Sequence, residues 1–191
     1  MNRLLRHTRL QFAAAALATA TIAVSGIASA TAADNSGATR NATNAATCAK
    51  VTWGSTPETV LGSTSGTIVN ARAGRHDCYD RFVVDVAGSV TGYDVRYVDA
   101  VWFGGTGHLV ELRGSAILQV IVKSPAPGEL GYNELEFVDV SGFRTIRQVA
   151  MVDALEDQTL MGLGIRARLP FRVFVLPGST SRVVVDIAHQ W

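Results

Sequence analysis

Lysine, cysteine and proline are scarce in this 191-residue chain, which has 2 cysteines, 5 prolines and lysine only at Lys50 and Lys123. Its charges are also nearly balanced, with 17 basic and 16 acidic residues. A protein that binds a polyanion through its charge needs a basic excess, so this composition argues against a nucleic-acid partner. Positive charge is carried almost entirely by arginine, whose planar guanidinium suits bidentate contacts with carboxylates.

Recognisable catalytic motifs are missing as well. The chain contains neither the G-x-S-x-G turn of serine hydrolases nor the H-E-x-x-H pattern of zinc peptidases. Glu134 and Glu136 alternate in a way that would place both carboxylates on one face of a strand, so a small glycosidase-like hydrolase is the least favoured alternative. We therefore expect no enzyme activity, no catalytic residues, no metal site and no cofactor.

The first 33 residues have the three-part pattern of a secretory signal peptide. Arginines at positions 3, 6 and 9 precede an apolar stretch over residues 12–27, and Ala28-Ser29-Ala30 matches an A-x-A cleavage site. A membrane-spanning anchor, the alternative, needs about 20 well-apolar residues, more than this Ala- and Thr-rich stretch offers. We expect a signal peptide over residues 1–33, cleaved within 30–33, so that the mature chain begins between Thr31 and Asp34.

Two further absences concern the route of export. No cysteine lies near the end of the apolar stretch to accept a lipid, and no two arginines are adjacent in the leader. Cleavage after Ala33 would remove three arginines and no acids, leaving 14 basic against 16 acidic residues. We expect a near-neutral protein that is secreted, that either stays at the cell wall or diffuses away, and that has no stable membrane anchor after cleavage.

Residues 34–47 are mostly Ala, Thr, Asn, Ser and Gly, with no large apolar side chain. Such a segment cannot bury a core, so we expect a flexible tether there. The folded domain is then expected over residues 48–191, an ordinary size for one domain.

Within that domain the apolar pattern has a period of two, which is typical of strands. In 81–86, Phe82, Val84 and Val86 share one face, and in 93–98, Tyr93, Val95 and Tyr97 do the same. Further β-branched runs cover 118–122, 171–175 and 182–187, and glycine-containing breaks separate the runs. The pattern predicts an all-β, mostly antiparallel fold, a sandwich or a barrel. Residues 145–155 fit either a helix or a strand.

One segment is echoed within the chain. Residues 81–87 (RFVVDVA) reappear as residues 182–188 (RVVVDIA), and each copy has a neighbour of similar pattern, at 93–98 and 171–175. Two like units could pack face to face, each covering the apolar face of the other. The alternative is that any two buried strands look alike.

Cys48 and Cys78 form an even pair in a chain expected to enter an oxidising compartment, which favours a disulfide. Closing this loop would stabilise the fold by roughly 3.5 kcal/mol in the chain-entropy model. It would also bring a strand at Val51–Trp53 into the core. The alternative, a metal or redox pair, has only His76 nearby as a further ligand.

The segment most suggestive of a binding site is 72–81, with the sequence RAGRHDCYDR. Arg75, His76 and Tyr79 there could present a cation, an imidazole and an aromatic ring to an acidic or sugar-containing ligand. Arg172, which alternates with Phe171 and Val173, should point away from the core. Structural pairing of these arginines with Asp80 or Asp186 is the alternative reading.

Several motifs together resemble the AMIN-like domain of secreted actinobacterial proteins. They follow one order along most of the expected domain: Cys48, Val51 and Trp53-Gly54-Ser55; Arg75-His76 and Cys78-Tyr79-Asp80-Arg81; Tyr93, Val95 and Tyr97-Val98; Gly114, Ala116 and Leu118; Gly162-Leu163-Gly164; Pro170-Phe171-Arg172-Val173; and Val184-Val185-Asp186 with Ala188-His189.

The resemblance implies a β-sandwich related to AMIN modules, which localise cell-wall amidases and secretion pores by binding peptidoglycan. It implies no catalytic residues. A non-catalytic cell-envelope module that binds peptidoglycan or another wall polymer is therefore expected. A protein–protein interaction domain that uses an exposed strand edge, with an envelope protein as partner, is the alternative.

Overall fold

The computed structural model describes residues 48–62, 66–130, 134–155 and 157–191. The predicted signal peptide and tether lie outside these ranges. The described part of the chain forms strands, with a 3₁₀ turn at Gly128–Leu130 as its helical element. The strands are β1 (Glu58–Val60), β2 (Thr67–Arg75), β3 (Tyr79–Ala87), β4 (Tyr93–Val98), β5 (Val101–Trp102), β6 (Leu109–Val110), β7 (Ala116–Val122), β8 (Ile146–Leu155), β9 (Gln158–Ile165), β10 (Phe171–Leu176) and β11 (Thr180–Ala188).

These strands form two main sheets and a small hairpin. One sheet has five strands in the order β1-β4-β7-β9-β8, and the other has four in the order β10-β11-β3-β2. Every pairing between these named strands is antiparallel. The β5–β6 hairpin forms a separate two-stranded unit. The predicted all-β antiparallel class is confirmed, and the layered sheets identify it as a sandwich.

A shared core holds the two sheets together. It contains Phe82 and Phe171 from the four-stranded sheet and Leu118, Met161 and Leu163 from the five-stranded sheet, all at most 1% exposed. Burying side chains of this size stabilises a fold by about 1.5–3 kcal/mol each. The alternation predicted from the sequence is confirmed. The faces formed by Phe82, Val84 and Val86 and by Tyr93, Val95 and Tyr97 point into this core.

The segment that suited both a helix and a strand is the strand β8. Its pairing with β9 is irregular at two places, between Ile146 and Gln148 and between Met151 and Asp153. Each irregularity adds a residue to one strand and shifts the alternation there. That shift explains why the apolar spacing of this segment fits neither period cleanly.

The face-to-face packing expected for the echoed segments is wrong. β3 and β11 lie side by side in the four-stranded sheet, and β4 belongs to the other sheet. Antiparallel pairing places Arg81 opposite Asp186 and Asp85 opposite Arg182. Arg81 and Asp186 form an ion pair across the two strands, whereas Asp85 pairs with Arg72 of β2, so the shared spacing gives one observed ion pair between the copies.

The disulfide between Cys48 and Cys78 is confirmed, with the Cα atoms 5.3 Å apart. The strand expected at Val51–Trp53 is wrong, since these residues belong to no ladder. The segment instead runs beside the edge strand β10, where the Phe171 N–H donates to the Gly54 carbonyl at 2.8 Å. No helix in the described ranges is long and apolar enough to cross a membrane.

Candidate functional site

The candidate site lies at the turn between β2 and β3, next to the disulfide. Arg75 ends β2 and Tyr79 begins β3, and the His76 N–H donates to the Tyr79 carbonyl at 3.0 Å to close the turn. Cys78 lies within this turn, and its bond to Cys48 ties the N-terminal segment of the domain to the same place. The predicted site residues at 75–79 therefore lie at an end of the sandwich, where loops are free to form a binding site.

Aromatic rings gather at this turn. The His76 and Tyr79 rings stack with their centroids 4.4 Å apart and 20° between their planes. Trp53 meets the Tyr79 ring edge-on, at 5.9 Å between centroids. Since Trp53 follows Cys48 by a few residues, the disulfide holds the indole near the turn.

Two arginines from different strands share one buried carboxylate beside these rings. Arg81 of β3 donates from Nε and Nη2 to the two oxygens of Asp186, at 2.6 and 2.9 Å. Arg172 of β10 donates from Nε and Nη2 to Oδ2 of Asp186, at 3.0 and 2.8 Å. Asp186 is fully buried, so the two guanidiniums compensate its charge. One carboxylate against two guanidiniums leaves one positive charge uncompensated.

The guanidiniums also lie over aromatic faces. The guanidinium carbon of Arg172 is 4.2 Å from the Trp53 ring centroid and 5.5 Å from that of Phe174. That of Arg81 is 5.3 Å from the Tyr79 centroid. Arginines at these distances are attracted by the ring electrons and remain available to an incoming ligand.

The pKa of Arg81 is raised from its ordinary value, first by the hydrogen bond to Asp186. Partial burial acts in the opposite direction, and attraction to Asp186 adds to the increase. The side chains of Arg81 and Arg172 remain 26% and 42% exposed. Two charged, positioned and accessible guanidiniums can therefore bind carboxylate or phosphate groups bidentately.

We call this region the arginine–aromatic surface; it consists of Trp53, His76, Tyr79, Arg81, Arg172 and Phe174. It brings together three of the four predicted ligand residues, His76, Tyr79 and Arg172. Arg75 is exposed, but it pairs in register with the inward-facing Asp80. Its Nη1 lies near Gly142, so the side chain is on the side of β2 that faces away from the arginine–aromatic surface. Arg75 therefore lies apart from the other three.

Sequence reasoning left out Trp53, Arg81 and Phe174 as site residues. Period-two alternation carries a signal for two of them, because Arg81 shares a face with Tyr79 and Phe174 shares a face with Arg172. The signal for Asp186 is its place in the echoed segment. Only the folded chain shows that Trp53 lies against Arg172, since the contact depends on the path of the N-terminal segment.

A second aspartate at the same end has a different environment. Asp80 is fully buried, and its Oδ2 accepts the Thr145 and Ile146 N–H groups at 2.6 and 3.1 Å. Its Oδ1 lies 3.0 Å from Nε2 of His189, whose Nδ1 lies 3.1 Å from the Asp77 carbonyl oxygen. Because every polar atom of this Asp–His pair has an internal partner, the pair holds the fold together and is not placed to act on a substrate.

The carboxylates considered for hydrolysis do not form a pair on a strand. Glu134 lies at an isolated bridge to Met151, and Glu136 forms an ion pair with Arg113. Hydrogen bonding to Arg113 lowers the pKa of Glu136 from its ordinary value, while burial acts in the opposite direction. Among the described residues, no group of three or more His, Cys, Asp or Glu side chains is arranged to hold a metal ion.

The fold and this surface define a disulfide-stapled β-sandwich with a cationic, aromatic patch on one sheet. A family model for the AMIN-like domain matches residues 66–189, and the chain belongs to the AMIN-like domain family. Membership indicates a module related to the cell envelope. Searches of curated proteins and of solved structures found no match to the chain.

Proposed function

We propose that this protein is an exported, non-catalytic module that binds peptidoglycan or another wall polymer through the arginine–aromatic surface. The observation that carries the proposal is the Arg172 guanidinium, which is fixed by Asp186, lies 4.2 Å from the Trp53 ring centroid and is still 42% exposed. Family membership supports a place at the cell envelope.

The wider face of the four-stranded sheet supports an acidic ligand. By strand alternation, arginines outnumber aspartates on its outward side, where the charged residues are Arg72, Arg81, Arg172, Arg182, Asp85 and Asp186. A cationic face attracts an anionic polymer, and aromatic rings beside it offer flat apolar contact to sugar rings. Wall polymers combine sugar rings with carboxylate or phosphate groups, so they match both features.

The alternative is an envelope protein that adds a strand to an exposed sheet edge. The β10 edge is occupied in part, because Phe171 and Val173 donate their N–H groups to the Gly54 carbonyl and the Glu58 carboxylate. β2 forms the opposite edge of this sheet, and its Ile68 N–H donates to the Pro125 carbonyl at 2.9 Å. Strand addition to this sheet would therefore use the remaining part of the β2 edge, away from Arg172.

The test compares binding of two variants to purified cell wall. Arg172→Ala should weaken binding on the order of tenfold, or about 1.4 kcal/mol. Arg72→Ala is a matched control, because Arg72 also contacts one aspartate through Nε and Nη2, at 2.9 and 3.0 Å to Asp85, and is 50% exposed. We expect Arg72→Ala to weaken binding much less than Arg172→Ala, because it removes one charge of the cationic face but no contact with the aromatic rings.

Melting temperatures of the same proteins separate binding from folding. Arg172→Ala leaves Asp186 bonded to Arg81, so the loss of stability should be small, about 1 kcal/mol. Binding should persist at high salt, where interactions between exposed charges alone are screened. Equal wall binding by Arg172→Ala and the original chain would contradict the proposal.

A further inference from the structure

The described residues cover only part of the outer face of the five-stranded sheet, on the side opposite to the arginine–aromatic surface. The β5–β6 hairpin packs Val101 and Val110 onto Ala150 and Val152, forming a second small apolar cluster. Gly162 of β9 lies under the hairpin, since a Cβ there would come within 3.2 Å of both Leu112 and Val101 side-chain atoms. The hairpin therefore covers one half of this face and forms a wall beside the other half.

The uncovered half is a trough. It contains two adjoining concavities of about 290 Å³ each, and both are lined by Gln119 and Ile121 of β7. Register pairing places one row of side chains across all five strands along its floor: Thr59, Asp94, Ile121, Leu160 and Asp153. With strands about 4.8 Å apart, this row spans about 19 Å.

The middle of the trough is aliphatic. Ile121 and Leu160 are adjacent in the row, and the exposed Leu155 lines the same concavity. In the neighbouring row of the sheet, beside Ile121 on β7, the Gln119 side chain lines both concavities and has no hydrogen-bond partner among the described residues. An apolar floor with a few polar groups free to pair is the usual construction of a ligand site.

The two ends of the row differ in charge. Asp94 is neutralised by an ion pair with Arg96 and accepts a hydrogen bond from Thr59 at 2.8 Å. Asp153 has no cationic partner among the described residues, and its Oδ1 accepts the Ala154 N–H at 2.8 Å. A ligand lying along the trough therefore meets an uncompensated carboxylate at the Asp153 end.

We propose that this trough binds an extended peptide segment that carries aliphatic side chains followed by a basic residue. Side chains two residues apart on an extended peptide are about 7 Å apart, which lets one cover Ile121 and Leu160 while the next reaches Asp153. The Gln119 amide is both a donor and an acceptor, so it can bond to the peptide backbone. This site is independent of the proposed wall binding, and the module would join a wall polymer on one face to a peptide on the other.

The test uses the blocked peptide acetyl-Leu-Ala-Leu-Ala-Lys-amide and NMR spectra of the isotope-labelled full chain. Adding the peptide should move the Gln119 side-chain amide signals and the Ile121 and Leu160 methyl signals. Asp153→Asn should weaken binding about tenfold, whereas Asp139→Asn, which removes an exposed carboxylate outside the trough, should leave the affinity unchanged. With a peptide in which norleucine replaces the lysine, Asp153→Asn and the original chain should have the same affinity, because the ion pair between the lysine and Asp153 can no longer form.

A second variant, Gln119→Leu, tests the site independently in case Asp153→Asn does not fold. Gln119→Leu should lower the affinity for the peptide, while the melting temperature of the variant stays close to that of the original chain. Arg172→Ala should bind the peptide normally, so failure of the peptide site and failure of wall binding are separable. The proposal is overturned if millimolar peptide moves none of the three trough residues, or if a chitin oligosaccharide moves them and the peptide does not.

Discussion

Asp80 and Asp186 are both fully buried and lie on neighbouring strands of one sheet, yet they hold two different kinds of cluster. Asp80 points into the sandwich, where backbone N–H groups and the nearly buried His189 ring pair with it. Asp186 points outward, where two partly exposed arginines pair with it. The difference is whether the partners reach solvent: those of Asp80 are internal, whereas those of Asp186 are two guanidiniums that remain accessible at the surface.

The largest expected effect comes from the inward cluster. Asp80→Ala leaves two buried backbone N–H groups and the His189 ring without their partner, and each buried polar group left unpaired costs about 1–3 kcal/mol, so a total loss of about 3–5 kcal/mol is expected. Urea unfolding should show a loss of that size. A loss below about 1 kcal/mol would mean that Asp80 is not structural, and the contrast between the two aspartates would disappear.

Removal of the disulfide should come next. Replacing Cys48 and Cys78 with serine should lower the free energy of unfolding by about 3 kcal/mol. It should also weaken wall binding, because the segment that carries Trp53 is then no longer tied to the β2–β3 turn. Unfolding with and without reductant measures the first effect, and a wall-binding assay at a temperature where the variant is folded measures the second. Unchanged binding would remove Trp53 from the surface.

Asp186→Asn should have an intermediate effect on stability, about 1–2 kcal/mol, because its two arginines can turn toward water when the carboxylate charge is lost. Wall binding should fall more than stability does, since the guanidiniums lose the group that positions them. The matched variant is Asp80→Asn, for which stability and wall binding are measured in the same way. That variant should destabilise the fold more while the folded fraction still binds.

The smallest effect concerns Asp94, on the other sheet. Partial burial raises the pKa of Asp94, but hydrogen bonds from Arg96 and Thr59, with the charges of Arg96 and Lys123, lower it more, so the net pKa lies below its ordinary value. A lowered pKa means that the ionised carboxylate stabilises the fold above its unfolded-state pKa, and that this stability is lost as the pH falls through the folded-state pKa. Asp94→Asn should cost less than about 1 kcal/mol at pH 7, because Arg96 is largely exposed.

That difference between Asp94→Asn and the original chain should shrink as the solution is acidified below about pH 4, the ordinary range for an aspartate. Urea unfolding of both proteins at several pH values measures it. A difference that stays constant with pH would show that the ion pair with Arg96 contributes nothing.

The sequence predicts the strands whose alternation is clean and misses those whose pattern is broken. Residues 93–98 are β4 as expected, while β9, with glycines at 162 and 164, was not identified. Its glycines lie where the hairpin and the Arg113 backbone come close, so tertiary contact dictates the composition there. β8 stayed ambiguous because its two irregularities disturb the period.

The site was predicted in part for a related reason. His76 and Tyr79 are close in sequence, and the alternation around Arg172 shows which way it points, so local reasoning could find all three. Trp53 reaches Arg172 only through the fold, and no local pattern encodes a contact over that separation. Arg75 is adjacent to His76 in the sequence, but it ends β2 on the side of Asp80, whereas His76 belongs to the turn and stacks on Tyr79.

The most direct measurement is an NMR titration of the domain with soluble fragments of purified peptidoglycan, followed by the indole N–H signal of Trp53 and the Nε–H signals of Arg172 and Arg72. We expect the Trp53 and Arg172 signals to move together and to saturate, while the Arg72 signal stays in place. Saturating shifts at Arg72 or Gln119 with none at Trp53 and Arg172, or no shifts at any of them, would contradict wall binding by the arginine–aromatic surface.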